Sequence, residues 1–173
     1  MDALQTILNR HSVRDWSDKD VPADILSQIL EAGRRSPSPL NSQPWHFIVV
    51  QNQDTIEKLM GYAKHGSFLS RAAAVIVVTI EKPVEIDKWL DEHEQYLFSG
   101  AAALYNMWLA SSALGLGSCW VTMDEQKTEE ILSIPSSQKI IGSLATGYPK
   151  TDVLHIAPKK TLEEVVSYEK YGH

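Results

Sequence analysis

The sequence predicts one domain that mixes helices and strands, of the α+β or α/β class. Three patterns lead to this expectation. Short runs of β-branched and apolar residues at 46–50, 74–80 and 140–146 are typical of strands. Stretches with helical spacing of apolar residues separate these runs. Residues 97–114 carry no charge, which indicates a helix buried on nearly all sides, either in the core or in a subunit interface.

The first half of the chain predicts three helices and two strands. Asp2 is positioned to cap a first helix. The apolar face of this helix consists of Leu4, Ile7 and Leu8. Pro22 suits the first position of a second helix, which should end near Gly33. After the strand at 46–50, Asp54 is expected to cap a third helix that extends to about residue 62. Residues 74–80 are continuously apolar, as in a strand buried on both faces.

The second half begins with one long helix, expected over residues 86–114 and ended by Gly115 and Gly117. A strand at 118–122, a short helix at 128–132 and the strand at 140–146 follow. The tail contains a short amphipathic segment at 162–166. Because the chain of 173 residues shows no repeat, low-complexity tract or linker, a single domain over residues 1–173 is expected.

Composition excludes several classes of function. The formal net charge of −6 makes nucleic acid a poor candidate partner. The only cysteine, Cys119, cannot form an intramolecular disulfide, and its place in an apolar strand favours a buried, unreactive thiol. The six histidines have no spacing typical of a metal site, so no metal is expected. With no leader-like N-terminus and no apolar run beyond nine residues, a soluble cytoplasmic protein is expected.

The segment RHSVR concentrates two guanidinium groups, an imidazole and a hydroxyl. In an extended conformation Arg10, Ser12 and Arg14 point to the same side, because side chains alternate along a strand. Arginine forks and a hydroxyl match the oxygens of a phosphate group. The alternative is a solvated basic turn, which the nearby Asp15 and Asp18 favour.

A second polar segment, SPSPLNSQPW, follows the second predicted helix. Its prolines stiffen the chain, and its serine, asparagine and glutamine side chains offer the donors and acceptors that a planar heterocycle requires. The alternative is an ordinary turn that leads into the strand. The sequence GLG at 115–117 is not a dinucleotide fingerprint, because that motif needs G-x-G-x-x-G between a strand and a helix.

Taken in order, the segments RHSVRDW, SPSPLNSQPWHFIVV, GLGSCWVT, IIGSLATGYPK and PKKTLEEVV resemble the flavin-dependent nitroreductase family. The resemblance covers residues 1 to about 168, and the chain looks like a compact member. It implies an α+β homodimer with a mixed, mainly antiparallel sheet flanked by helices. It also implies that an extended C-terminal arm, residues 150–173, embraces the partner subunit, and that two FMN molecules lie in the interface, each contacted by both chains.

The resemblance further implies which residues bind FMN. Those matching the phosphate and ribityl motif are Arg10, His11, Ser12 and Arg14. Those in the loop that borders the isoalloxazine of the other subunit are Pro37, Ser38 and Asn41, with Gln43 bracing the loop. The strand along the flavin ring contains Trp120, Val121 and Thr122. The remaining matches are His65, near the pyrimidine edge of the ring, and Lys159 with its neighbour Lys160, where relatives have a phosphate-binding arginine.

One position departs from the family pattern. Ser99 stands where many relatives carry an acidic or amide residue on the interface helix. This difference bears on substrate preference rather than on flavin binding.

The function that the resemblance implies is an NAD(P)H oxidoreductase that reduces nitroaromatics, quinones or similar acceptors by ping-pong, two-electron hydride transfer. No catalytic residue is assigned, because this chemistry belongs to the flavin. Three alternatives stay open. They are another reaction on the same scaffold, such as an ene-reductase or a flavin-processing enzyme, a non-catalytic flavin-binding module, and a structural dimer whose motifs have decayed.

Overall fold

The computed structural model describes residues 2–64, 66–81, 88–151 and 157–172. Seven α-helices in these ranges are α1 (Ala3–Asn9), α2 (Ala23–Arg34), α3 (Gln53–Met60), α4 (Lys88–Glu92), α5 (Gln95–Ala113), α6 (Glu125–Leu132) and α7 (Leu162–Val165). Four strands are β1 (Trp45–Val50), β2 (Ala74–Glu81), β3 (Gly117–Val121) and β4 (Gln138–Gly147). None of the helices described is both long and apolar enough to cross a membrane.

The strands form one sheet in the order β1-β2-β4-β3, and every pair of neighbours is antiparallel. The N-terminal segment adds a single parallel bridge between Ser12 and Ser118 on β3. The register shifts between Val78 and Thr79, where β2 lies opposite Gly142. These features confirm the predicted α+β class and the mainly antiparallel sheet.

Helices cover both faces of the sheet, and β2 lies in the middle of the core. Ile76 and Val78 pack in the apolar cluster that includes residues of α2 and α5, while Val75 and Val77 pack in the cluster that includes residues of α3. All four side chains are fully buried, which confirms the prediction of a strand buried on both faces. On the α5 side, Gly100 permits close packing, since a Cβ there would lie 2.6 Å from Ile141.

The structure corrects two of the predicted details. Asn52, and not Asp54, caps α3, because its side chain accepts a hydrogen bond from the backbone of Thr55. The long helix predicted from residue 86, which itself lies outside the described residues, is two helices. They are separated at Glu94, which has a left-handed φ of 48°. On α5, Phe98 is 64% exposed within this chain, so the core of one chain does not bury this helix on all sides.

Candidate functional site

The end of α1 and the segment after it form one wall of a pocket of about 390 Å³. The pocket is lined by Ile7, Leu8, Arg10, His11, Ser12, Arg14, Ala157 and Lys159. The fold thus brings together the RHSVR motif and a lysine from near the other end of the chain. This supports the hypothesis of an anion site over the alternative of a solvated turn.

Strand β3 holds the RHSVR segment in place. The backbone amide of Val13 donates to the carbonyl of Ser118 at 3.0 Å, and the indole of Trp16 donates to the carbonyl of Gly117 at 2.8 Å. A side chain at Gly117 would not fit, because its Cβ would lie 2.6 Å from the Cβ of Val13. The glycine therefore allows the segment to approach β3 closely enough to form these bonds.

Three buried hydroxyl groups lie behind this contact. The Oγ of Ser111 lies 2.6 Å from the Oγ of Ser118 and 3.0 Å from Oγ1 of Thr146, and the last two are 2.9 Å apart. They join α5, β3 and β4, and their mutual hydrogen bonds satisfy hydroxyl groups that are buried away from water. The sequence offered no signal for this cluster, since serine and threonine in apolar segments have no characteristic spacing.

Arg10 is held over an aromatic ring, and one of its donors is unused. Its guanidinium carbon lies 4.1 Å from the centroid of Trp108, and its buried Nε makes no hydrogen bond to any of the residues described. Within the described ranges, no ion pair involves Arg10, Arg14 or Lys159. Three cations without a carboxylate partner leave the pocket positively charged, and a phosphate group suits them. Sequence reasoning missed Trp108, which it treated only as part of an uncharged helix.

The loop that precedes β1 adopts a conformation fixed by its own hydrogen bonds. Leu40, Asn41 and Gln43 all have a left-handed φ, of 53°, 55° and 48°. The Oγ of Ser38 accepts from the backbone amide of Gln43 at 2.9 Å, and the amide side chain of Gln43 donates to the carbonyl of Asn41 at 3.3 Å. Pro37, Asn41 and Gln43 are exposed, and Ser38 is partly exposed. The loop therefore presents polar groups to its surroundings in one defined arrangement.

The loop and the pocket attach to different sides of α5. The amide of Asn106 donates to Oγ of Ser36 at 2.8 Å, whereas Trp108 lies under Arg10. Successive residues of an α-helix are about 100° apart around its axis, so two residues that are two positions apart lie on nearly opposite sides of the helix. Within one chain, therefore, these contacts lie on nearly opposite sides of the helix.

The other candidate residues differ in how far they are exposed and in whether they reach the pocket. Val121 is 2% exposed and packs in the core beside α3, so its side chain is not available to a ligand. Trp120 is partly buried against Gly142, and Thr122 is exposed. Lys160 is exposed and is not among the residues that line the pocket. His65 lies outside the described residues.

Cys119 lies beside the pocket but is not activated by it. Burial raises the pKa of the Cys119 thiol, and the nearby charge of Arg14 and contacts from Ser12 and Arg14 oppose this effect only partly. The thiol is therefore neutral near pH 7, whereas a nucleophilic cysteine requires the thiolate. This agrees with the prediction of a buried, unreactive side chain.

Together, the fold and the site define an α+β protein with a cationic pocket beside an edge strand, suited to a phosphorylated ligand. Comparison with known proteins makes the assignment specific. The model of the Nitroreductase family matches residues 7–67 and 61–148. The chain belongs to the nitroreductase family, which is a family of oxidoreductases.

Individual relatives agree with this assignment. A protein of Archaeoglobus fulgidus, named provisionally as an NADH dehydrogenase/NAD(P)H nitroreductase, is 31% identical over 156 residues, which are 87% of each chain. A nitroreductase family protein of Clostridium difficile 630 superposes with a TM-score of 0.85 at 26% identity, over 98% of this chain and 99% of its own. A provisionally named nitroreductase of Desulfovibrio desulfuricans, described in complex with FMN, gives a TM-score of 0.85 at 25% identity, over 99% and 98% of the two chains.

Proposed function

We propose that this chain is an FMN-dependent NAD(P)H oxidoreductase that reduces nitroaromatics, quinones or similar acceptors by two-electron hydride transfer in a ping-pong scheme. The observation that carries the proposal is the cationic pocket, in which the buried Nε of Arg10 has no hydrogen-bond partner in the part of the chain that the structure describes. The relatives support it through their names and through the FMN complex of the D. desulfuricans protein.

The residues present fit the phosphate end of FMN. Arg10, Ser12, Arg14 and Lys159 line one pocket and offer charged and neutral donors to the phosphate oxygens. Lys159 contributes charge without the bidentate fork of the arginine that relatives commonly have at this position. When bound, FMN supplies the ring that accepts a hydride from NAD(P)H and donates it to the acceptor.

The remaining candidates would surround the ring. The loop residues Pro37, Ser38, Asn41 and Gln43 would border the FMN held by the partner subunit. Trp120, Thr122 and the backbone of Val121 would lie along the ring, with His65 near its pyrimidine edge. Lys160 would add positive charge next to Lys159. The chain's own task is to bind and orient the cofactor and to leave one face of the ring open to the two substrates in turn.

The proposal includes a homodimer formed by a single domain. Leu4 and Leu8 on α1 are 71% and 65% exposed, so the apolar face of this helix is not covered by its own chain. All described residues from 157 to 172 are exposed, as expected of an arm that packs on a partner. The placement of the loop and the pocket around α5 supports sites that each draw on two chains.

The dimer is testable by sedimentation. At low micromolar concentration we expect about twice the chain mass of 19.4 kDa. Replacing Leu4 with lysine should shift the protein towards the monomer, because it places a charge in an apolar interface. The same replacement at Gln126, an exposed residue of α6, should leave the mass unchanged. A wild-type monomer loaded with flavin would contradict the dimer.

The activity is tested on the purified protein. The released cofactor is identified against FMN and FAD standards, and oxidation of NADH and NADPH is followed with a quinone (menadione), a nitroaromatic (nitrofurazone) and an enone as acceptors. We expect FMN, and steady-state oxidation that depends on the acceptor. Turnover only with enones would indicate another reaction on the same scaffold, bound FMN without turnover would indicate a flavin-binding module, and a colourless protein that cannot be loaded with FMN would refute the proposal.

Asn41 is expected to tune the reduction potential of the bound flavin. Its side-chain amide makes no hydrogen bond in the part of the chain that the structure describes, so it is available to the ring. A bond of about 1 kcal/mol that forms only with the electron-rich reduced ring corresponds to roughly 20 mV for a two-electron couple.

The Asn41→Ala protein should therefore bind oxidised FMN and show a lower midpoint potential in a spectroelectrochemical titration. Gln126→Ala, which removes an exposed side-chain amide from α6, is the matched control. An unchanged potential with a lowered melting temperature would mean that Asn41 only maintains the loop.

A further inference from the structure

Arg10 is held at the pocket by the end of a helix and by an aromatic ring. Its backbone amide donates to the carbonyl of Thr6 at 2.9 Å, which fixes the main chain where α1 ends. Its guanidinium carbon lies 4.1 Å from the centroid of the Trp108 ring. Within the described ranges the guanidinium forms no ion pair, and its buried Nε makes no hydrogen bond. The contact that restrains this side chain is therefore the one with Trp108.

Trp108 is itself firmly placed on α5. It packs against the apolar cluster that includes Leu104 and Met107, and the ring of Tyr105 lies edge-on to it, with the two centroids 6.5 Å apart. Its Nε1 is buried and makes no hydrogen bond to the residues described. The polar edge of the indole therefore does not account for its position beside Arg10. The ring face does, because tryptophan offers a cation the most favourable face of the aromatic side chains.

We propose that Trp108 is a positioning residue that makes the pocket selective for flavins that carry a phosphate. The inference rests on the proposed function, since it concerns the phosphate of FMN. Trp108 is not among the residues that line the pocket, whereas Arg10 is, so the indole acts through the guanidinium. It holds Arg10 in place before the ligand arrives, and the phosphate then meets a donor that need not be ordered first.

A positioning role differs from simple packing in its effect on two related ligands. Riboflavin shares the flavin ring and the ribityl chain with FMN but has no phosphate. Its affinity should therefore depend on neither Arg10 nor Trp108. If the indole only supported the fold, its loss would weaken the binding of both flavins by the same factor. The ratio of the two affinities thus separates the positioning of Arg10 from general support of the structure.

The experiment measures the dissociation constants of FMN and riboflavin from the fluorescence of flavin released when the loaded protein is diluted. The variant Trp108→Met fills much of the space of the indole but has no aromatic face. Its Arg10 must be ordered when the phosphate binds, so FMN affinity should fall by about three- to tenfold. Riboflavin affinity should not change. In the Arg10→Ala background, Trp108→Met should cause no further loss of FMN affinity.

Two further variants make the result specific. Trp108→Phe keeps an aromatic face and should retain more of the FMN affinity than Trp108→Met. Phe47→Met is the matched control, because Phe47 packs against the same apolar cluster from β1, and it should change neither affinity.

The inference would be overturned, and the proposed function left intact, by any of three results for Trp108→Met. These are unchanged FMN affinity, equal losses of affinity for FMN and riboflavin, and a loss that persists in the Arg10→Ala background. A wild-type protein that binds neither flavin would overturn both the inference and the proposed function.

A measurement on the wild type decides if Trp108→Met does not fold. Protons above the face of an aromatic ring resonate upfield in NMR spectra. The Nε–H signal that Arg10→Lys removes should therefore be shifted upfield in spectra of the full chain, both with FMN and after its removal. If this signal lies at the ordinary position of a solvated arginine once FMN is removed, the ring does not hold Arg10 and the inference is wrong.

Discussion

Replacing Arg10 with alanine is expected to weaken FMN binding by about 1.5–3 kcal/mol, the range for a hydrogen bond to a charged group. Arg10 lies over Trp108 with its buried Nε unpaired, so it is already held in place and loses little freedom when a phosphate arrives. The dissociation constant should therefore rise by about one to two orders of magnitude. Fluorescence of FMN released on dilution measures this change.

Two comparisons make the result specific. Arg34→Ala is the matched control, because Arg34 is exposed and bonded to Glu31 on the surface of α2. It should leave FMN affinity unchanged. Riboflavin should bind the Arg10→Ala protein almost as well as the wild type, since it has no phosphate. Equal losses of affinity for FMN and riboflavin would mean that Arg10 supports the fold rather than the phosphate.

Replacing Gly117 with alanine is expected to damage the same site from the opposite side. The new methyl group would lie 2.6 Å from the Cβ of Val13, so the N-terminal segment must move away from β3. That movement breaks the bond between Val13 and the carbonyl of Ser118 and displaces Ser12. Overpacking of this kind costs about 1–3 kcal/mol of the free energy of unfolding.

Denaturant unfolding and FMN titration measure the two effects of Gly117→Ala separately. Both stability and FMN affinity should fall. Gly61→Ala is the matched control, because Gly61 has a φ of −61° and a Cβ there would meet only a carbonyl oxygen at an ordinary 3.5 Å. A Gly117→Ala protein with wild-type affinity for FMN would show that the RHSVR segment does not depend on β3 for its position.

The loop before β1 shows how much local sequence can predict. Its prolines and its serine, asparagine and glutamine residues indicated a stiff polar turn, and the structure has one. The three left-handed residues were not predicted, because none of them is a glycine, the residue that usually marks such a conformation. Hydrogen bonds within the loop hold these residues in place.

For the helices too, the sequence predicted some features and missed others. Spacing of apolar residues predicted α2, α3 and α6, and the positions of strands followed from β-branched runs. The break at Glu94 had no glycine or proline to mark it. Asp54 was the predicted cap of α3 but Asn52 caps it, because the spacing of apolar residues does not choose between polar residues so close together. Local patterns thus predict that an element exists more reliably than where it begins.

Sequence by itself determined the presence and order of most helices and strands, the strand buried on both faces and the short motifs whose order identifies the family. These features depend on the pattern of residue types over a few neighbouring positions, and that pattern is present in the local sequence. Only the tertiary structure placed Trp108 beneath Arg10, brought Lys159 to the RHSVR motif and joined Trp16 to Gly117 across 101 residues. Such pairings depend on which faces of distant elements meet, and no local pattern encodes that, because the partners share neither spacing nor neighbours along the chain.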